Sequence, residues 1–309
     1  MPPTDLNASI AKVQNEFALK LLREFATTNN LSACVSPPAV AVTLALALSG
    51  AKDKTSEQLS QLLAKGTPKY RILPHFGALL KLLDGGGKKF AKFNVESVCK
   101  LCVKSDIGVL DAFKASVDKY FGAHLELVDF GENMKQVLAT TAQINKIVQD
   151  ASHGTIKEVQ VLALPCDEVS LYVTLPKERF GLSHFLANLT VDSLFEMAQK
   201  CQKVKLNVAL PKIKLDQTVE LSEPLKKLGL INVFENANFQ GIAPPASLAI
   251  SKVLQKSIDE QGGHDDAKSE AGLISPTSPP LKFVANHPFA IFVVSHTHQT
   301  ILLTAIYQG

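Results

Sequence analysis

The chain has 309 residues, 46% of them apolar, and a formal net charge of +3. It can bury a large core, and its nearly neutral charge disfavours nucleic acid or an anionic membrane as a partner. The longest apolar run, Ala39 to Leu48, is too short to cross a bilayer. Because the first residues lack the pattern of a secretory signal, we expect a cytoplasmic protein, with an extracellular location as the alternative. Five cysteines, an odd number, fit a reducing compartment.

The first half of the chain has the pattern of amphipathic and buried helices. Apolar residues recur at three- and four-residue steps over Asp5–Phe25, which predicts a helix. Ser36-Pro37 predicts the start of a buried helix that ends at Gly50, because a hydroxyl N-cap followed by proline favours a helix N-terminus. Thr55 to Gln58 has the spacing of a capping box and predicts the next helix.

Two more helices are predicted near the middle of the chain, before strands become dominant. They cover Asp111–Phe121 and Met134–Ala151, and Gly154 is a candidate C-terminal cap for the second. The sequence contains no internal repeat and no stretch with the composition of a domain linker. We therefore expect a single domain over residues 1–309.

Short alternating or continuous apolar stretches predict the strands. In Lys203–Leu210, Val204, Leu206, Val208 and Leu210 fall on one face, which is typical of a half-buried antiparallel strand. Helices early and strands late predict an α+β fold, with N-terminal helices packed on mostly antiparallel sheets. The predicted strands are Val95–Lys104, Val161–Leu164, Val169–Leu175, Lys203–Leu210, Leu248–Leu254, Phe289–Ser295 and Ile301–Tyr307.

The stretch from Lys256 to Phe289 lies between two predicted strands and is rich in glycine, proline and charge. Such a composition can neither pack a core nor fill the interior of a sheet. A loop of this length inside a compact domain is usually functional or disordered. A functional exposed loop and a disordered connector are therefore the two interpretations.

No motif in the sequence predicts catalysis or a cofactor. The chain lacks Gly-x-Ser-x-Gly, His-Glu-x-x-His and Gly-x-Gly-x-x-Gly. His296-Thr297-His298 falls at a predicted turn without a nearby acidic or cysteine ligand, and His264 with Asp265-Asp266 reads as a solvated charge run. We therefore expect no metal, no cofactor and no enzymatic activity. A triad assembled in space from scattered residues is the alternative.

Two further patterns have a structural and a functional interpretation. Cys99 and Cys102 fall on opposite faces of a strand, which favours structural thiols over a metal or redox pair. A set of basic residues could bind a polyanion, but on a nearly neutral chain such residues are more often solubilising. That set is Lys65, Lys69, Arg71, Lys81, Lys88, Lys89 and Lys92.

A series of short motifs runs through the chain in a fixed order. They are Ser36-Pro37 through Gly50-Ala51-Lys52 and Thr55, Tyr120-Phe121-Gly122-Ala123, Val128-Asp129-Phe130, Ile144-Asn145-Lys146, Gly154-Thr155-Ile156-Lys157, Leu162-Ala163-Leu164-Pro165, Leu171-Tyr172-Val173-Thr174-Leu175-Pro176, Leu210-Pro211-Lys212, Leu228-Gly229-Leu230 and Asn286-His287-Pro288-Phe289. Together they resemble the serpins, the serine protease inhibitor family, over nearly the whole chain.

The resemblance implies an exposed reactive loop, here residues 259–285, that a protease cleaves as bait. In family inhibitors the cleaved loop inserts into the main sheet, and the protease is trapped as an acyl-enzyme. The expected partners are serine proteases, with cysteine proteases as a further class, and the expected state is a monomer. The alternative is a non-inhibitory binding protein, or a truncated isoform that cannot insert its loop.

The hinge of the loop departs from the family pattern, in which Glu-Glu-Gly-Thr-Glu precedes several alanines. Alternate residues face the core when a strand inserts, so at least one of Asp265, Asp266 and Lys268 would be forced inward. Burying an unpaired charge costs several kcal/mol, which disfavours insertion. The resemblance assigns the hinge to Glu260, Gly262, Gly263, His264, Asp265, Asp266, Ala267 and Lys268, and the scissile bond to Pro276-Thr277 or Thr277-Ser278.

A second departure lies near residues 158–161. The chain passes almost directly from Ile156-Lys157-Glu158 to Val161, whereas the family has several strands between the corresponding motifs. One of them is the central strand of the main sheet, which flanks the insertion slot. We therefore expect an incomplete main sheet.

Overall fold

In the computed structural model the described residues are 3–28, 32–83, 101–104, 106–122, 125–128, 152–156, 159–166, 169–203, 206–211, 217–244, 248–257 and 281–308. The helices within these ranges are α1 Pro3–Thr28, α2 Pro37–Gly50, α3 Asp53–Ala64, α4 Lys69–Leu83, α5 Asp111–Phe121, α6 Leu182–Asn188, α7 Val191–Lys200 and α8 Ser222–Lys227. The strands are β1 Ala33–Val35, β2 Leu101–Lys104, β3 Leu125–Val128, β4 Ser152–Ile156, β5 Val159–Cys166, β6 Val169–Pro176, β7 Gln202–Lys203, β8 Leu206–Ala209, β9 Gln217–Glu220, β10 Leu254–Ser257, β11 Leu281–Val284, β12 Phe289–Ser295 and β13 Thr300–Tyr307.

Seven strands form one antiparallel sheet in the order β1-β13-β12-β6-β5-β4-β7. The other described strands form three separate pairs: β9 with β10 is antiparallel, while β8 with β11 and β2 with β3 are parallel. The α+β prediction with mostly antiparallel sheets is confirmed.

The N-terminal helices pack on this sheet and on one another. Eleven of the fourteen residues of α2 are buried, so α2 is a core helix with no polar face. It contacts α1, α3, α4, α5 and β13, while α1 also packs on β13. The predicted apolar face of α1 is confirmed, because Ile10, Val13, Phe17, Leu21 and Phe25 are all buried.

The starts of two helices differ from the prediction. Ser36 precedes α2, but its hydroxyl donates to the Leu302 carbonyl at 3.0 Å and makes no cap. The hydroxyl of Thr55 accepts from the Asn238 amide at 2.9 Å, and α3 already begins at Asp53. In both cases the hydroxyl that was predicted to cap the helix instead forms a hydrogen bond with a residue distant in sequence.

Three predictions about strands need correction. Gly154 does not cap a helix; it lies in β4 and pairs with Val161 of β5. Leu248–Val253 is not a strand, and only Leu254 from the predicted stretch belongs to β10. β8 covers only part of Lys203–Leu210. Its partner β11 is parallel, so the antiparallel prediction is wrong.

The solvent exposure of β8 also differs from the prediction. Val208 is 41% exposed and Leu210 is 38% exposed, so the predicted apolar face is only partly covered.

Two predicted elements lie outside the described residues: the helix over Met134–Ala151 and the part of the Val95–Lys104 strand before Leu101.

Candidate reactive-loop site

β10 leads into the predicted reactive loop and is held by β9. Leu254 pairs with Glu220, and Ser257 pairs with Gln217. Before the strand, Val253 is buried; its carbonyl accepts from the Leu221 amide at 2.8 Å, and its amide donates to the Ser222 hydroxyl at 3.2 Å. The upstream end of the loop therefore has a fixed backbone as far as Ser257.

β11 leaves the loop and is held by a different pair. Leu281 pairs with Leu206 and Val284 with Ala209, and the Ala285 amide then donates to the Ala209 carbonyl at 2.9 Å. Phe283 has no exposed surface and fixes β11 to the core. The two ends of the loop are therefore anchored in separate sheets.

The Asn286-His287-Pro288-Phe289 motif connects β11, the strand after the loop, to the seven-stranded sheet. The Nε2 of His287 lies 2.6 Å from the Pro176 carbonyl oxygen at the end of β6, so Nε2–H donates to it. The Phe289 ring is fully buried and stacks on Tyr307, with centroids 5.0 Å apart and an interplanar angle of 28°. The motif is thus a structural joint between β11 and β12.

The predicted hinge and scissile residues lie outside the described residues. This holds for Glu260, Gly262, Gly263, His264, Asp265, Asp266, Ala267 and Lys268, and for Pro276, Thr277 and Ser278. The structure fixes the chain on both sides of residues 258–280 through β10 and β11.

The strand pairs β2–β3 and β9–β10 are not joined by any other strand in the described part of the chain. Close to the predicted gap, β4 and β5 form a tight hairpin in which Ile156 pairs with Val159. The chain therefore passes from β4 to β5, two neighbouring strands of the seven-stranded sheet, between Ile156 and Val159.

A cavity of about 270 Å³ lies between β6, α7 and the turn that joins β12 to β13. Its apolar wall comes from Phe195, Ala198 and Val294. Tyr172 and His296 supply polar edges, and burial raises the pKa of the Tyr172 hydroxyl. A pocket with apolar walls and a few polar groups is the usual form of a small-molecule site.

His296 and His298 lie in an exposed turn, as predicted. The sequence did not indicate that the Nε2 of His296 would lie 2.7 Å from the hydroxyl oxygen of buried Ser170. His298 lies beside the Ser295 hydroxyl, with 3.3 Å between its Nδ1 and that oxygen. Because Ser170 is 126 residues from His296 in the chain, only the sheet brings the pair together.

Within the described residues, no group of three or more His, Cys, Asp or Glu side chains could hold a metal ion. No helix in the same ranges is both long and apolar enough to cross a membrane. Of the cysteines predicted as structural thiols, Cys102 is half-buried in β2, while Cys99 lies outside the described residues.

Comparison with known proteins gives a consistent result. The family model described as "Serpin (serine protease inhibitor)" matches residues 12–160 and 157–307. Human Serpin B4 is 22% identical over 380 aligned positions, which cover 95% of this chain and 97% of that protein. The structure of a tumour-suppressing serpin superposes with a TM-score of 0.76 at 18% identity, covering 97% of this chain and 99% of that one. A thyroxine-binding globulin in complex with thyroxine superposes with a TM-score of 0.77 at 16% identity, covering 96% and 98%. The chain belongs to the serpin family.

Proposed function

We propose that this chain is a serine-type endopeptidase inhibitor whose bait is the part of the predicted loop 259–285 that precedes β11, residues 259–280. One observation carries the proposal: the chain on the two sides of this segment is held in β10 and β11, which belong to different strand pairs outside the seven-stranded sheet. Cleavage between these anchors leaves both of them paired. Membership in a family described as serine protease inhibitors supports the same function.

The charged residues of the hinge should lower the fraction of protease that is trapped. Insertion beside β9–β10 would bury at least one of Asp265, Asp266 and Lys268, at a cost of several kcal/mol. A slower insertion gives the acyl-enzyme more time to hydrolyse. We therefore expect many encounters to end in simple cleavage, with a minority of trapped protease.

The predicted loss of the central strand of the main sheet should also lower the fraction of protease that is trapped. We propose that the absent segment falls at residues 157–161, because the two segments matched by the family model meet at residues 157–160. The Serpin B4 alignment runs over 380 positions, whereas this chain has 309 residues. Sequencing transcripts across Lys157 to Leu162 tests this directly. A sister transcript with extra strands identifies this chain as a shortened form, and uniform transcripts identify a loss in the gene.

Inhibition is tested by incubating the protein with trypsin-like, chymotrypsin-like and papain-like proteases, followed by denaturing electrophoresis. The expected result is cleavage near Thr277-Ser278 with an SDS-stable covalent complex. The triple variant Asp265→Ala, Asp266→Ala, Lys268→Ala is expected to increase the trapped fraction. Cleavage without a complex and without a gain in thermal stability, in both proteins, refutes the inhibitor; the absence of cleavage within residues 259–285 refutes the bait loop itself.

A second candidate is a non-inhibitory serpin that binds a small molecule. It is favoured by the cavity between β6, α7 and the β12–β13 turn, and a structural neighbour is a thyroxine-binding globulin. Thyroxine is a suitable probe. Saturable binding that is lost in Ala198→Phe, which fills the cavity, supports the carrier; no binding, or binding unchanged by Ala198→Phe, excludes thyroxine from this cavity.

The remaining assignments follow from the same proposal. The chain acts as a monomeric single domain over residues 1–309, has no catalytic activity of its own, and meets its protease partners in the cytoplasm. Fractionation of cells that express the protein tests the location. Light scattering of the purified chain tests the monomer.

A further inference from the structure

Strand β8 is an edge strand that is open to solvent. Among the described strands it pairs only with β11, and residues 207–210 are all exposed. β11 is less accessible than β8, because Phe283 within it and Ala285 directly after it are buried. The side of β8 that faces away from β11 is therefore accessible to another strand.

The backbone of β8 has hydrogen-bonding groups on that side without a strand partner. Ala209 pairs with Val284, and its carbonyl accepts from the Ala285 amide, so the polar backbone groups of Ala209 point towards β11. Successive residues of a strand direct their amide and carbonyl groups to opposite sides. The N–H and C=O of Val208 therefore point away from β11, and no described residue pairs with them. An edge of this kind is a template for strand addition.

The side chains along this edge favour an apolar segment. Val208 and Leu210 are two residues apart, so they lie on the same face of β8, and both are exposed. Val284, which pairs with Ala209, is exposed on the other face. β8 itself contains no charged residue, although charged side chains commonly protect an exposed edge from pairing. An added strand would cover these apolar side chains.

The charge of the sequence around β8 favours an acidic partner. Residues 201–215 contain four lysines and no acidic residue. The four are Lys203, Lys205, Lys212 and Lys214. Lys282, which pairs with Asn207 in the β8–β11 ladder, is also exposed. Pairing of β8 with a second copy of itself would bring lysines together, which is unfavourable, whereas carboxylates at the ends of an added strand would meet opposite charges.

We propose that β8 binds a protein partner by strand addition, and that the partner supplies an extended segment of alternating apolar residues flanked by aspartate or glutamate. The added strand pairs with the outward N–H and C=O of Val208, and its apolar side chains cover Val208 and Leu210. Because β8 also holds β11, the bound segment lies beside the strand that follows the bait. The interaction requires no cleavage of the bait.

The probe is a fluorescent peptide with blocked ends, Glu-Glu-Val-Thr-Val-Thr-Val-Glu-Glu, and its binding to the full chain is followed by anisotropy. We expect saturable binding that is weakened at least about tenfold by Val208→Pro, since proline removes the outward N–H and leaves a peptide carbonyl unpaired. The ladder to β11 does not use this N–H, so the variant should remain folded. Val208→Ala is the matched control; it keeps the amide and should weaken binding by about threefold at most.

Two altered peptides test the partner's chemistry without changing the protein. N-methylation of the central residues removes the peptide's donors and should abolish binding. Lysines in place of the four glutamates should weaken binding at least about tenfold. The proposal is overturned by the absence of saturable binding, by equal binding to Val208→Pro, or by equal binding of either altered peptide.

A second copy of the chain is the competing occupant of the edge. A dimer in light scattering that Val208→Pro dissociates would show that β8 pairs with itself, and would also overturn the proposal. None of these outcomes depends on the protease assay, so strand addition and protease trapping can fail independently.

Discussion

Asn15 joins α1 to the turn between β12 and β13, and its removal should destabilise the protein. The side chain is 3% exposed. Its Nδ2 donates to the Gln299 carbonyl at 2.8 Å, and its Oδ1 accepts from the Ile301 amide at 2.9 Å. One buried amide thus satisfies two backbone groups at the beginning of β13.

The expected loss of stability in Asn15→Ala depends on whether the Ile301 amide and the Gln299 carbonyl find new hydrogen-bond partners. The Ile301 amide is buried and would lose its acceptor, at a cost of about 1–3 kcal/mol. Gln299 is exposed, so its carbonyl can turn to water at little cost. The backbone φ angle of Gln299 is 47°, which is unfavourable for a residue other than glycine, and the hydrogen bond to Asn15 helps to hold Gln299 in this conformation. We expect a loss of about 2 kcal/mol in the free energy of unfolding.

Urea unfolding followed by circular dichroism measures this change through the shift of the midpoint at constant slope. Gln14→Met is the matched control on the same helix. Gln14 is also buried, but among the described residues only its Nε2 has a partner, the Leu63 carbonyl at 2.6 Å, while its Oε1 has none there. A loss for Asn15→Ala below about 0.5 kcal/mol, or no larger than that of Gln14→Met, would refute the reasoning.

Three further changes have defined outcomes. Gly77→Ala should cost about 3 kcal/mol or force α4 away from α5, because a Cβ at Gly77 would lie 2.1 Å from the Tyr120 carbonyl oxygen. Thr190→Ala should cost about 1 kcal/mol, since the Thr190 hydroxyl accepts from the Ser193 amide at 3.1 Å in a capping box at the start of α7. Lys69→Met should stabilise the protein by about 1 kcal/mol at neutral pH, after allowance for solvent screening of a half-buried group.

The gain from Lys69→Met has a specific pH dependence. The folded-state pKa of Lys69, about 8, lies below the ordinary lysine value of 10.5, so the cost of burying the charge is fully present below pH 8 and is lost as the pH rises towards 10.5. Melting curves of both proteins from pH 7 to 10.5 should therefore converge, and a constant difference contradicts the explanation. For Gly77→Ala and Thr190→Ala, an unfolding midpoint equal to that of the parent protein contradicts the assigned contacts.

Local patterns in the sequence were sufficient where a segment has one strong periodicity. The apolar repeat of α1, the continuous apolar run of α2 and the terminal hairpin β12–β13 are present as predicted. In each case the hydrophobic pattern alone decides which residues are buried. α4 was not predicted, because Pro74 and Gly77 interrupt it; the burial of Ile72, Phe76 and Leu80 on one face nevertheless stabilises it as a helix.

Two kinds of feature required the tertiary structure. Hydroxyls near helix starts have several possible partners, and at Ser36 and Thr55 a distant backbone group takes the place of the cap. The pairing of β8 with β11 rather than with an antiparallel neighbour depends on which strands exist elsewhere, so alternation within Lys203–Leu210 could not reveal it. The contact between Ser170 and His296 and the position of Lys69 beside the Ala51 carbonyl depend on chain packing in the same way.

By itself, the sequence determined the family and the α+β class, and it predicted the segment that we propose as bait, because these depend on ordered motifs and on composition. Only the tertiary structure decided that the segment is anchored in two separate strand pairs, and that β4 and β5 close a hairpin at the predicted gap. The physical reason is that strand partners are chosen by long-range hydrogen bonding and by the burial that the rest of the fold makes available, neither of which is encoded within a single strand.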